Sequence, residues 1–311
     1  MDVVSFPIHK ASKRALPSVS EDRDFSGSSR WFAQLHLTLC KTSRGTRLTE
    51  NKHIGPLQVQ APFYPEGKDL AHIYLLHPPG GLVSGDDLNI HIQLKPNAHA
   101  LATTPGAGRL YRARQDGCVQ RQTLNFSLAA GASFEWLPQE TIVFPNANGE
   151  LLLEVDLTGD SFFCGWEVTC FGLPENDQPF DHGRLYQRLR VWRDSRLCLQ
   201  DSLLISPAQP EFMTSKIGLQ GATVSAVMLC TNIDRLPSAL VTEMTLTLQN
   251  LCDTHSDTMS RLFMSVLDEC LVIRYLGYCS AQARQGFEAV WSVIRPYMLQ
   301  RTSCSPRIWS T

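Results

Sequence analysis

Three short stretches carry residue types that can do chemistry. The first, HPPGGLVSGDD at 77–87, packs three glycines, two prolines and an acidic pair into eleven positions. Glycine amides cradle a phosphate when a helix N-terminus follows them. Here the chain continues as DDLNIHIQL, a strand pattern, and Asp86 and Asp87 would repel an anion. No Gly-Lys-Ser or Gly-Lys-Thr completes a P-loop, so Gly80, Gly81 and Gly85 read as turn residues. The second stretch, TTPGAGRLYRAR at 103–114, reads as another turn, built on Pro105 and Gly106 and carrying Arg109, Arg112 and Arg114. With Tyr111 beside them, these arginines suit a protein interface.

Metal chemistry is suggested by His72, His77, His91, His99, Asp86 and Asp87 in one region. On a regular strand, residues an odd number apart face opposite sides, which separates His72 from His77 and Asp86 from Asp87. No closed set of ligands follows, although imidazole and carboxylate both suit loose contact with a first-row divalent ion. The third stretch, FEWLPQETIVFPNANGE at 134–150, places Glu135 and Glu140 five apart. Such a pair invites an acid/base reading of the glycosidase kind. No Gly-x-Ser-x-Gly, His-Glu-x-x-His or local Cys–His arrangement supports catalysis. A metal-dependent cytosolic hydrolase using the acids at 86–87 and 135–140 stands as the competing reading, and a plain interaction module as a third.

The elements that must position these residues are mostly strands. LNIHIQL puts Leu88, Ile90, Ile92 and Leu94 on one face; TLNFSL and MTLTL repeat the period of two. ELLLEVDL, FFCGWEVTCF, LYQRLRVW and CLVIRYLG are further β-rich runs, separated by turn clusters such as KPNA, LAAGAS, FPNANGE and LTGD. The spacers are too short for crossover helices, so an all-β body is expected, whether sandwich, barrel or solenoid. Near the end, SAQARQGFEAVWSVIRPYM predicts a helix through Phe287, Val290, Trp291 and Ile294, capped by Ser280 and ended or kinked at Pro296. A second helix is predicted over THSDTMSRLFMSVLD, with Met259, Leu262, Phe263, Val266 and Leu267 as its apolar face.

Composition narrows the field. A formal charge of −2 gives no bulk attraction to nucleic acid or anionic membrane. No run reaches the roughly 18 apolar residues of a membrane span, and the N-terminus lacks a secretory apolar stretch, which predicts a cytoplasmic address. The ten cysteines are scattered without a Cys-x-x-Cys pair and read as reduced core residues. Residues 1–29 are polar and aperiodic, expected to form a flexible extension before a single domain over 30–311.

Taken in order, GPLQVQAPFYPEG, HIYLLHPPGGLVSGDDL, TTPGAGRLYR, EWLPQETIVFPNA and PRIWST resemble the UreD (UreH) urease accessory family, from Trp31 to Thr311. Departures are Ser84 where a first glycine is usual, Gly108-Arg109-Leu110 where a small residue, Lys and an aromatic are common, and FGLPEN for a frequent Gly-Arg-Pro. The resemblance implies an elongated β-helical, solenoid-like body with about two helices near the C-terminus. It implies a non-catalytic scaffold that binds a UreF-type partner, through it a UreG-type GTPase, and the urease apoprotein. Nickel would be a transient cargo, with no tightly bound cofactor. Carried onto this chain, the passage would use Asp86, Asp87, Glu140 and Glu167, with His77. Partner binding would use the Arg109–Tyr111–Arg112 turn and the C-terminal helix with Trp291.

Overall fold

The computed structural model describes residues 30–254 and 260–310; the expected extension at 1–29 lies outside them, as do Met259 and Thr311. The chain opens with β1 (Trp31–Thr42), β2 (Gly45–Ile54), β3 (Gln58–Val59) and β4 (Leu70–Leu76). It continues with β5 (Asp86–Leu94), β6 (His99–Thr103), β7 (Gly108–Leu110), β8 (Gln120–Leu128) and β9 (Ser133–Trp136). Then come β10 (Thr141–Val143), β11 (Asn148–Leu157), β12 (Phe162–Phe171), β13 (Arg184–Arg193), β14 (Arg196–Ile205) and β15 (Val224–Cys230). Helix α1 (Ser238–Thr254), the hairpin β16 (Arg261–Leu267) and β17 (Cys270–Gly277), and helix α2 (Ser280–Leu299) complete the elements used below.

Two sheets organise these strands. The first has the order β14-β13-β11-β8-β5-β1-β2, and the second β16-β17-β15-β12-β9-β6-β4-β3, with β7 and β10 attached beside β12. From β4 to β13 the chain passes back and forth between the sheets. Successive strands of one sheet therefore pair in parallel: β1 with β5, β5 with β8, β8 with β11 and β11 with β13 in the first, and β4 with β6, β6 with β9 and β9 with β12 in the second. A parallel pair ordinarily needs a long crossover. Here the strand in the opposite sheet serves as the crossover, which is why short turns suffice.

Burial explains the strand sequences. The first sheet has one face inward, so β5 alternates strictly, with Asp86, Leu88, Ile90, Ile92 and Leu94 inside. The inner strands of the second sheet are covered on both faces, by the first sheet and by the helices. So β4 is nearly all apolar and both β4 and β9 are almost wholly buried, β9 with Ser133 and Glu135 among its buried residues. One core, with Phe126, Phe134, Trp136 and Phe163, lies between the sheets. The other, with Trp166, Met228, Phe287 and Trp291, lies between the second sheet and the helices.

Three local expectations need correction. MTLTL lies inside α1 and is not a strand: Met244 and Leu248 are buried one turn apart while Leu246 is 55 % exposed. RLFMSVL is the edge strand β16 and not a helix, paired with β17 across a turn in which Asp268 has φ +54°. Helix α2 runs through Pro296 to Leu299, and its cap is Cys279, with Ser280 already helical. Pro296 falls in the last turn, where losing one backbone bond costs little beside the anchoring of Arg295 described next.

Candidate functional site

The glycine-rich stretch between β4 and β5 folds as a turn docked on β7. Leu82 N–H donates to the Arg109 carbonyl (2.7 Å) and Tyr111 N–H to the Leu82 carbonyl (3.0 Å). A Cβ on Gly81 would lie 2.5 Å from Tyr111 and 2.8 Å from Arg109 Cβ, so only glycine permits this approach. Gly80 and Gly85 have φ of +75° and +92°, in the left-handed region. Pro105 and Gly106 form the facing turn, where nothing lies within 4 Å of a Cβ placed on Gly106.

Asp86 ends the turn from within. It is buried, and its Oδ2 accepts the Val83 N–H at 2.8 Å. Burial raises its pKa, opposed by that hydrogen bond and by nearby His77. Asp87, one residue on, faces the other side of β5, accepts from Asn89 Nδ2 at 3.0 Å and lies 3.9 Å from Arg121. The acidic pair is thus split across the sheet.

His77 and Glu167 are brought together differently: both line a cavity of about 260 Å³ between the sheets, with Gly80, Gly81, Pro105, Gly106, Arg109, Gln122, Leu124 and Gln139. The Nε2 of His77 is buried without a hydrogen-bond partner, and burial lowers its pKa, favouring neutral imidazole, the form that ligates metals. Glu167 sits on the inner face of β12. Its Oε1 accepts Trp136 Nε1–H at 2.7 Å, and burial pushes its pKa up to about 7 against that single bond. Its residual surface is cavity wall. A second cavity, of about 100 Å³, lies beyond it, and Gln122, Leu124 and Glu167 line both. The smaller cavity ends near Arg274 and Asp201, which pair at 3.1 Å.

Glu140 is not in either lining. Its carbonyl accepts Gly108 N–H at 2.9 Å, and its carboxylate is one cause, after burial, of the raised Cys170 pKa. Among the described residues no group of three or more His, Cys, Asp or Glu is placed to hold a metal ion. The arrangement offers isolated donors along a cavity rather than a coordination sphere.

The expected partner residues diverge. Arg109 is half-buried at the larger cavity, with Nη1 donating to the Gly80 carbonyl at 3.4 Å. Tyr111 packs against Phe144, ring centroids 5.1 Å apart, and Arg112 is exposed. Trp291 does not belong in this group: it is 2 % exposed and donates to Glu135 Oε1 at 2.6 Å, so its surface is spent inside the molecule.

That bond belongs to a buried network the sequence reading missed. Arg295 on α2 contacts both carboxylate oxygens of Glu135 (2.9 and 3.1 Å) and both of Glu66 (2.7 Å each), and Glu66 Oε1 meets His72 Nε2 at 2.7 Å. Burial would raise the Glu66 pKa, but the bonds from His72 and Arg295 outweigh it and hold it at about 2. Glu135 faces the helices while Glu167 faces the first sheet. With its oxygens saturated, Glu135 is unsuited to activate a water, which removes the acid/base pairing with Glu140. One signal was available: a charged residue directly after Ile294 on an apolar helix face needs buried carboxylates.

Comparisons with known proteins give one answer. A family profile described as "UreD urease accessory protein" matches residues 32–310. A protein of Marinomonas sp. (strain MWYL1), named urease accessory protein UreD, is 43 % identical over 288 residues, covering 92 % of this chain and 91 % of the relative. The like-named protein of Psychromonas ingrahamii is 41 % identical over 296 residues, covering 90 % and 94 %. That of Pseudoalteromonas translucida is 36 % identical over 317 residues, covering both chains in full.

Proposed function

The chain belongs to the UreD family of urease accessory proteins, and from that premise we propose that it is a scaffold which passes nickel internally toward urease during maturation. The family is one of accessory proteins and not of enzymes; its role is in urease maturation. The finer reading is that the chain binds a UreF-type protein, through it a UreG-type GTPase, and the urease apoprotein, in the cytoplasm. No helix among the described residues is long and apolar enough to cross a membrane. We read residues 30–311 as one unit, and the alternation of strands between two parallel-paired sheets as β-helical coiling.

The observation that carries the passage is the pair of cavities with Gln122, Leu124 and Glu167 as shared walls. A conduit for a divalent ion needs ligands that capture weakly and release. Glu167, whose pKa burial raises to about 7, and His77, whose buried Nε2 has no hydrogen-bond partner, have that character. Gln122 adds a neutral amide to the lining, while the Gln139 oxygen is taken by Arg284 Nη1 at 2.6 Å. Asp86 lies at the end of the turn, its Oδ2 fixed by the Val83 N–H at 2.8 Å.

The test is co-expression with urease subunits and the UreF- and UreG-type proteins. Omitting this chain is expected to abolish activation. Glu167→Gln keeps an oxygen for Trp136, so it is expected to lower nickel content and urease activity several-fold while co-purification with the partners is retained. The double change Asp86→Ala with Glu140→Ala probes the acids outside the cavity lining. Full activation by the Glu167→Gln protein would remove the passage from this reading.

A further inference from the structure

The sulfurs of Cys164 and Cys230 lie 3.1 Å apart in the core beneath the helices, and both residues are fully buried. They are directly opposed register partners on antiparallel β12 and β15. Opposed residues in such a pair have Cα atoms about 4.5–5.5 Å apart, within the span a disulfide bridges. An S–S bond is about 2.0 Å long, so closure asks the sulfurs to approach by roughly 1 Å. The two positions are 66 residues apart in the chain.

We propose that Cys164 and Cys230 form an oxidative modification site, a dithiol that closes to an intrachain disulfide and fastens β12 to β15. With a low-molecular-weight disulfide as oxidant, one cysteine thiolate attacks the oxidant, releasing one thiol and leaving a mixed disulfide. The second cysteine displaces the remaining thiol. Two S–H bonds are lost, one S–S bond forms, and the oxidant is reduced to two thiols.

In the closed fold the mutual hydrogen bond and burial raise the Cys164 pKa, and the neighbouring Glu135 and Arg295 act on it in opposite senses. The Cys164 thiol is therefore held protonated, and with both sulfurs buried, attack requires local opening. Cys230 ends β15, and the turn after it reaches solvent at Asp234 and Arg235, which gives a short route. The consequence lies on the reverse face of the same strands. Glu167 is three residues from Cys164, and its register partner Val227 also lines the smaller cavity. A cross-link at one end would stiffen that wall. The site itself does not depend on the passage reading.

The experiment incubates the full-length chain with oxidised glutathione, then unfolds it in iodoacetamide and maps peptides without reduction. The expected result is a linked pair of peptides containing Cys164 and Cys230, with Tm raised by about 5–10 °C and restored by dithiothreitol. Cys164→Ala should lose both the cross-link and the Tm shift. Cys230→Ala is the same control if the first variant folds poorly, and the wild-type peptide map decides without either. Carbamidomethylation of both residues overturns the proposal. So do cross-links confined to the neighbouring pairs Cys170–Cys279 or Cys198–Cys270.

Discussion

Glu167 is set apart from the other acids by its pH dependence. Its folded-state pKa of about 7 exceeds the ordinary 4.5 because of burial, so the folded state holds a proton that the unfolded chain has released between those values. Its contribution to stability is present below about pH 4.5 and is lost as pH rises through about 7. Each pKa unit is worth about 1.4 kcal/mol, which sets a ceiling of about 3 kcal/mol. The expected outcome is that Glu167→Gln is more stable than the wild type at pH 8 by up to that amount, the gap closing by pH 5, read from urea denaturation at several pH values. A gap that does not change with pH would mean the carboxylate is ordinary. Nothing in GWEV itself distinguishes Glu167; it entered the sequence reading through family resemblance, because solvation in a cavity is a property of strands far apart in the chain.

The turns and strands were legible to the degree that their surroundings are simple. Strands of the first sheet have one wet face, and their alternation was read correctly in LNIHIQL and TLNFSL, while ELLLEVDL was recognised as a β-rich run. The inner strands β4 and β9 of the second sheet are covered on both faces, so neither shows a period: β4 is a nearly continuous apolar run, and β9 buries Ser133 and Glu135 beside its aromatics. Met244, Leu246 and Leu248 imitate a strand because threonines separate them, yet the buried pair is four apart. At β16, Phe263 and Leu267 stay 55 % and 44 % exposed on an edge, an arrangement no periodicity announces. The turn residues permit a direct comparison. Gly81→Ala should lower stability by about 1–3 kcal/mol through collision with Tyr111 and Arg109. Gly106→Ala, with open space around it, should change Tm little. Thermal unfolding of the two variants side by side checks both, and equal effects would remove the close-approach account of Gly81.

Across the whole molecule, Arg295 is the point where α2, the second sheet and the loop before β4 are fastened together. Arg295→Met would leave Glu66 and Glu135 buried without their cation. The expected loss is about 3–5 kcal/mol, because a broken buried pair costs far more than an intact one contributes. Arg295→Lys should recover only part, since one ammonium cannot reproduce the forked contacts with two carboxylates. Denaturant midpoints of the two variants provide the check, and near-wild-type stability of the methionine variant would show that the network is dispensable. The partners of Arg295 lie 229 and 160 residues earlier in the chain. During synthesis on a ribosome, Glu66 and Glu135 emerge long before the cation that satisfies them. The interior of the second sheet therefore cannot reach its final state until nearly the whole chain has been released. A truncated product would carry Glu135 without its cation and Glu66 with only His72 left to it, as a mark of incompleteness.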